Sequence, residues 1–162
     1  QPAEAEAPAQ ENKAPAPAAP QQPAADNKET TETVSGTLSQ FERQVVELTN
    51  EERAKNGLSA LKIDTELSNV AREKSNDMQA KNYFSHTSPT YGSPFDMMNQ
   101  FGIDYRAAGE NIAMGQRTPE EVVNAWMNSE GHRKNILSSN FTHIGVGHDA
   151  DGNYWTQMFI GK

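Results

Sequence analysis

The spacing of apolar residues predicts a helix near the start of the chain's hydrophobic part. Phe41, Val45 and Leu48 recur at intervals of three and four residues, which is the spacing of one helix face. The segment Ser39–Glu42 has the form of a capping box, and Gly57 is a suitable stop. The pattern therefore predicts a first helix between these two ends.

Three further segments combine a helix start with an apolar face. A second helix opens near Asp64 and ends around Asn82, and a short third one starts at Ser93-Pro94 with proline in its first turn. A fourth opens at Thr118–Glu121, which again has the form of a capping box. The second helix carries one mixed face, formed by Leu67, Val70, Ala71, Lys74 and Met78.

The pattern changes from a helical period to alternation near the C-terminus. Residues 154–160 alternate as in a strand, and residues 142–147 are the expected partner. Asp149–Asn153 contains Asp-Gly, which favours a tight hairpin turn over a calcium loop. Residues 108–114 form a third strand candidate. Helices on both faces of a small antiparallel sheet would bury these patterns, so we expect an α+β domain.

The first 38 residues differ in composition from the rest of the chain. They are rich in Ala, Pro and Gln, and six of the nine prolines lie before residue 24. Such a segment buries too little apolar surface to offset its ordering entropy. We expect a disordered spacer over residues 1–38 and a folded domain over residues 39–162. The spacer would act as a wall-spanning tether or as a neutral linker.

Charge and composition narrow the classes of function. The net charge of −8 argues against nucleic-acid binding, which needs a basic patch. No apolar run approaches the length of a membrane span, and the absence of cysteine argues against a disulfide scaffold. The chain begins at Gln1 without a signal region, so we expect a mature or trimmed protein whose targeting segment has been removed.

Several spaced motifs resemble the CAP superfamily of cysteine-rich secretory, antigen 5 and pathogenesis-related proteins. They are Phe84-Ser-His86-Thr-Ser88, Gly109-Glu-Asn-Ile-Ala113, Gly131-His-Arg133 and Phe141-Thr-His-Ile-Gly-Val-Gly147. The resemblance is strongest to the secreted bacterial SCP-like branch. It implies a three-layer α-β-α sandwich with a small, mostly antiparallel sheet. It also implies a secreted, extracellular protein, in some cases associated with the cell wall.

The resemblance also implies a cleft that holds two histidines and two acidic residues. Its candidates in this chain are His86, Glu110, Glu130 and His132. In eukaryotic members the second acidic residue stands at the position of Ser129, one residue before Glu130, and the second histidine at the position of Asn140. The bacterial branch carries Gly-His-Arg instead, so the resemblance implies His132 as the replacement. Further residues that could line the cleft are Tyr83, Ser85, Tyr105, Asn111 and His143.

Two imidazoles beside carboxylates suit three kinds of chemistry. His86 and His132 could bind a divalent metal such as zinc, or act in general acid–base catalysis. The third interpretation is a buried polar network that orients a loop and a ligand. Neither the His-Glu-x-x-His nor the Gly-x-Ser-x-Gly motif of hydrolases occurs, and Ser85 is best interpreted as a polar loop hydroxyl.

Three functions remain open at this point. The first is a non-enzymatic, monomeric module at the cell envelope whose cleft binds a small ligand, a lipid or a wall component. The alternative is a metal-assisted, protease-like hydrolase that uses Glu110 or Glu130 as its base. The third is a structural wall protein in which the domain is a rigid end-piece on its tether.

Overall fold

A computed structural model of the protein describes residues 11–13 and 38–162. Its strands are β1 (Glu11–Lys13), β2 (Lys62–Ile63), β3 (Ala107–Met114), β4 (His143–Asp149) and β5 (Tyr154–Gly161). Its helices are α1 (Gln40–Lys55), α2 (Thr65–Lys81), α3 (Pro94–Gln100), α4 (Pro119–Met127) and α5 (Glu130–Ile136). Apart from Glu11–Lys13 and Leu38, the spacer predicted over residues 1–38 lies outside the described residues.

The strands form one mixed sheet in the order β1-β3-β5-β4-β2. The three long strands, β3, β5 and β4, are antiparallel, and the short outer strands pair in parallel with their neighbours. The hairpin between β4 and β5 turns at Gly152 and Asn153, which both have positive φ. The predicted hairpin and its Asp-Gly turn are therefore confirmed.

Helices cover both faces of this sheet. One core cluster joins α1, α4 and α5 to Trp155 and Phe159 of β5. The other joins α2 and α3 to Met158 and Ile160, the alternate residues of the same strand. The predicted three-layer α-β-α sandwich is confirmed, and β5 is buried on both faces because it lies in the middle layer.

Local capping explains where the helices begin. Ser39 and Ser93 each form the full reciprocal capping box, and Asp64 caps α2. At α4 only half of the predicted box forms. The Thr118 hydroxyl accepts from the Glu121 amide, but the Glu121 carboxylate accepts from the Arg117 amide instead of the Thr118 amide. One helix, α5, was not predicted.

Helix α2 lies directly against the backbone of β4. A Cβ built on Gly145 would lie 2.4 Å from the backbone carbon of Leu67, and one built on Gly147 would lie 2.1 Å from the amide nitrogen of Arg72. Both distances are far below van der Waals contact. The two glycines are thus what allows α2 to dock at this distance.

We predict that Gly147→Ala lowers the free energy of unfolding by about 3 kcal/mol, because the methyl group meets helix backbone that cannot move aside. Denaturant unfolding followed by circular dichroism measures the change. Gly109→Ala is the matched control, since its Cβ would meet the side chains of Phe141 at 3.1 Å and Asn135 at 3.2 Å, and side chains can shift further than helix backbone. An equal loss in both variants would contradict this account of the docking.

Candidate functional site

The centre of the candidate site is a buried histidine–glutamate pair. Glu110 lies in the middle of β3, and His86 lies in the segment that follows α2. The Glu110 Oε1 atom lies 2.6 Å from His86 Nδ1, and the two residues are only 2% and 7% exposed. A carboxylate held this close fixes the orientation of the imidazole ring. The structure therefore brings together two of the four predicted cleft residues.

The second carboxylate oxygen of Glu110 has no hydrogen-bond partner among residues 38–162. Its Oε2 atom is buried and accepts from none of them. A buried acceptor without a donor costs about 1–3 kcal/mol, and most such atoms in proteins are satisfied. A ligand that donates an N–H or O–H to this oxygen would recover that cost.

Helix α2 fixes the backbone of His86 through a buried lysine. The Lys74 side chain is fully buried, and its Nζ atom donates to the carbonyl oxygen of His86 at 2.6 Å. The same ammonium lies 5.4 Å from the ring centroid of Tyr83, within the range of a cation–π contact. Lys74 thus ties the segment after α2 to the helix itself.

A second α2 residue, Asp77, anchors the same segment. Its carboxylate accepts hydrogen bonds from the hydroxyls of Tyr83 and Ser88, both at 2.6 Å, and of Thr90 at 3.2 Å. Burial alone would raise the pKa of Asp77, but these three bonds and the nearby Lys81 ammonium outweigh it and hold the pKa below its ordinary value. Burial and the bond to Asp77 raise the pKa of the Tyr83 phenol. Asp77 therefore holds Tyr83 before His86 and Ser88 after it.

His132 lies near the start of α5, in the helix layer on the other face of the sheet from α2. It is 1% exposed, and its Nδ1 atom shares a hydrogen bond of 2.9 Å with the hydroxyl of Ser129. Its carbonyl oxygen accepts from the side-chain amide of Asn111 at 3.2 Å. Since Asn111 directly follows Glu110 in β3, this bond ties the start of α5 to the strand that carries the Glu110 carboxylate.

A buried amide network holds α5 on the sheet. The Asn135 amide donates to Asn111 Oδ1 at 3.0 Å and to the Glu110 carbonyl at 3.3 Å. Asn111 in turn donates to Gln157 at 3.0 Å, and Gln157 donates to the Thr49 hydroxyl of α1 at 2.8 Å. Asn111 is therefore a member of this network, which positions the strand beneath the site.

The other predicted cleft residues lie in different surroundings. Glu130 is exposed and makes no hydrogen bond or ion pair with residues 38–162. The Ser85 hydroxyl accepts from the Thr87 amide at 3.1 Å, a local turn contact. Tyr105 packs against the α2–α3 cluster, and burial raises its pKa. His143 begins β4 and contacts Thr142.

Four residues that hold the site together were not among the predicted site residues: Lys74, Asp77, Asn135 and Gln157. All four are buried polar side chains. A sequence signal exists for Lys74 and Gln157, because each lies among apolar residues on one face of its helix or strand.

The donor set does not meet the usual requirement of a catalytic zinc site. Within the part of the chain that the structure describes, no group of three or more His, Cys, Asp or Glu side chains could hold a metal ion. Catalytic zinc usually takes three protein ligands.

Comparison with known families identifies the class of protein. Residues 46–159 match the family described as CAP, the cysteine-rich secretory protein family. The chain belongs to this family, and the predicted resemblance to the bacterial SCP-like branch is confirmed by its bacterial relatives.

Two relatives from Bacillus subtilis (strain 168) and one crystal structure match this chain over part of their own length. The protein YkwD is 65% identical over 138 residues, which are 85% of this chain and 54% of YkwD. The membrane protein YlbC is 46% identical over 119 residues, 74% of this chain and 34% of YlbC. An extracellular SCP-domain protein from Bacillus anthracis is 40% identical with a TM-score of 0.73, over 75% of this chain and 40% of that one. The chain thus spans about half or less of each relative.

None of the helices within residues 38–162 is long and apolar enough to cross a membrane.

We predict that Asp77→Asn lowers the free energy of unfolding by about 1–2 kcal/mol at pH 7, because three hydroxyls lose a charged acceptor. Since folding depresses the Asp77 pKa, its contribution is full above the ordinary value of 3.8 and is lost as the pH falls below it. The difference between the wild-type protein and the variant should therefore shrink below pH 4.

Urea unfolding of both proteins at pH 6 and pH 3 measures this difference. Asp104→Asn is the control, because Asp104 is exposed and has no hydrogen bond to lose among the described residues. A gap between wild type and Asp77→Asn that stays constant with pH would contradict the proposed role of the carboxylate.

Proposed function

We propose that this chain is a secreted bacterial CAP-domain protein that binds a ligand or partner at the cell envelope through the His86–Glu110 site, without turning it over. The observation that carries the proposal is the buried Oε2 atom of Glu110. It has no donor in the part of the chain that the structure describes, while the other oxygen holds His86 in place. Such an arrangement offers an oriented acceptor beside a fixed imidazole. Sugars, peptides and amides all supply matching N–H or O–H donors.

Preorganisation favours binding at this site. Lys74 and Asp77 fix the segment that carries His86, and the amide network fixes the strand that carries Glu110. Little ordering entropy is then lost when a ligand arrives, and a modest contact area can give useful affinity.

The donor set supports a binding role over the metal-assisted hydrolase. That alternative needs a third metal ligand, and Glu130, the predicted second acid, is exposed and bonded to no described residue. The Ser85 hydroxyl contacts its own turn rather than a histidine, which argues against its use as a nucleophile.

A location outside the cell is supported by the B. anthracis neighbour, which is described as extracellular. The partner class that fits best is a wall component, because it is present in that compartment and is rich in hydroxyl and amide donors.

We expect the domain to bind soluble disaccharide-peptide fragments of peptidoglycan in calorimetric titrations. Glu110→Gln should weaken this binding about tenfold, because the charged acceptor is lost and one hydrogen bond to a charged group is worth roughly 1.5 kcal/mol or more. Glu130→Gln makes the same chemical change at an exposed position and should leave the affinity unchanged.

Two outcomes would contradict this proposal. Binding that is equally strong in wild type and Glu110→Gln would place the ligand elsewhere. Turnover of the fragments, followed by chromatography and lost in His86→Ala, would make the protein an enzyme. Thermal unfolding of each variant checks that the fold is retained.

A second prediction concerns zinc. Because two histidines without a third ligand bind zinc weakly, calorimetric titration of Zn²⁺ at neutral pH should give no tight binding that both His86→Ala and His132→Ala abolish. Tight binding that is lost in both variants would place the two rings in one metal site and favour the hydrolase.

A further inference from the structure

A pocket whose lining does not include His86 or Glu110 lies elsewhere on the domain. It has a volume of about 550 Å³ and opens where the loop after α1 meets the segment before β4 and the end of β5. Its basic lining residues are Arg53, Lys62, His143 and Lys162, and neither His86 nor Glu110 lines it. Its size falls in the range of sites that take a small organic ligand.

Arg53 is the buried member of this pocket. It is 2% exposed, and three carbonyls fix its guanidinium group: Nε donates to Ser59, and Nη1 donates to Ile136 and Ser138, each at 2.8 Å. The Nη2 atom makes no hydrogen bond with residues 38–162, and no carboxylate in this range pairs with Arg53. A buried cation that is held only by neutral carbonyls is costly, and an anion beside it would lower that cost.

The rim of the pocket is also positive. Lys62 and Lys162 are exposed, and the Nζ atom of Lys162 lies 3.5 Å from Asp64 Oδ2, the acidic group that faces this side. Burial lowers the pKa of His143, and both lysines lower it further, while Asp64 acts in the opposite direction. Local cations thus outnumber the local carboxylate, although the whole chain carries a net charge of −8.

Two hydroxyls complete the set of donors. Ser59 and Ser139 line the pocket, are exposed, and their side chains make no hydrogen bond with any residue in the described range 38–162. A guanidinium, two ammonium groups and two hydroxyls together supply several donors from different directions. A tetrahedral, multiply charged oxyanion can use such a set better than a planar carboxylate.

We propose that this pocket binds a phosphate group carried by a larger molecule, with Arg53 as the buried donor and Lys62 and Lys162 as the charged rim. The volume leaves room beyond a single phosphate, so the ligand is a phosphate ester. It is either a monoester of a small molecule or a diester within a polymer.

Nuclear magnetic resonance titrations of the ¹⁵N-labelled chain test the proposal with inorganic phosphate, glycerol 3-phosphate and glycerophosphoglycerol as probes. We expect saturable shifts of the Ser59, Ser139 and His143 amides. Tighter binding of glycerol 3-phosphate identifies a monoester, and tighter binding of glycerophosphoglycerol identifies a diester. Acetate serves as the carboxylate probe and should bind more weakly than inorganic phosphate.

Lys62→Gln and Lys162→Gln should each weaken binding about fivefold at low salt, the effect of one charge pair near a protein surface. Lys134→Gln is the matched control, because Lys134 is exposed and does not line the pocket. These exposed substitutions leave the Arg53 carbonyl contacts intact, so loss of folding is not expected to obscure the result.

Three results would overturn the proposal: no saturable shift with any phosphate probe, equal weakening by Lys134→Gln, or acetate binding as tightly as inorganic phosphate. None of them depends on the His86–Glu110 site, so the proposal can fail while the proposed function stands.

Discussion

The close contact between α2 and β4 is the constraint on which the rest of the structure depends. At Gly145 and Gly147 the helix backbone occupies the space where side chains would otherwise project from the strand. This contact sets the height of α2 above the sheet. Because Lys74 and Asp77 tie the segment that carries His86 to α2, the height of α2 also sets where His86 stands relative to Glu110 in β3. The 2.6 Å contact between His86 and Glu110 is thus a consequence of helix packing as much as of its own chemistry.

The opposite layer is joined to the sheet by polar contacts in addition to apolar packing. Asn111, Asn135 and Gln157 are buried, and each finds an amide, a carbonyl or a hydroxyl as its partner. A satisfied network of this kind adds little net stability but penalises any shift of α5 along β3, because a displaced amide would be buried without a partner. Apolar side chains alone would not fix His132 relative to Glu110 so narrowly.

Local patterns were sufficient for most of the elements and insufficient for the site. The ends of α1, α2 and α3 followed from capping residues and proline, and the three long strands followed from alternation, since both depend on neighbouring residues. Helix α5 is as long as α3, but it was missed because no proline marks its first turn and its Ser129 N-cap makes no side-chain capping bond. The half-formed box at Thr118 has a similar origin, because the nearby Arg117 amide competes for the same carboxylate.

The pairing of His86 with Glu110 could not come from periodicity, because the two residues are 24 positions apart and belong to different layers. It came from the resemblance to the CAP family, whose motifs name the residues but not the contacts that hold them. The face that carries Lys74 was predicted, yet its role depends on where the chain returns after Asn82. The His86 carbonyl oxygen lies at that point and accepts a hydrogen bond from the buried Lys74 ammonium, which fixes the segment to α2.

The two sites present opposite chemistry on one acidic domain. The Glu110 site offers an acceptor, and a net charge of −8 favours ligands that are neutral or cationic there. An anionic ligand faces long-range repulsion, which salt screens within about 8–10 Å at physiological ionic strength. An anion in contact with a desolvated guanidinium interacts with it at short distance and in a lower dielectric. A single ion pair is stronger there than in bulk water. Arg53 is the group that meets this condition in the basic pocket, because its buried charge is held by carbonyls rather than by a carboxylate.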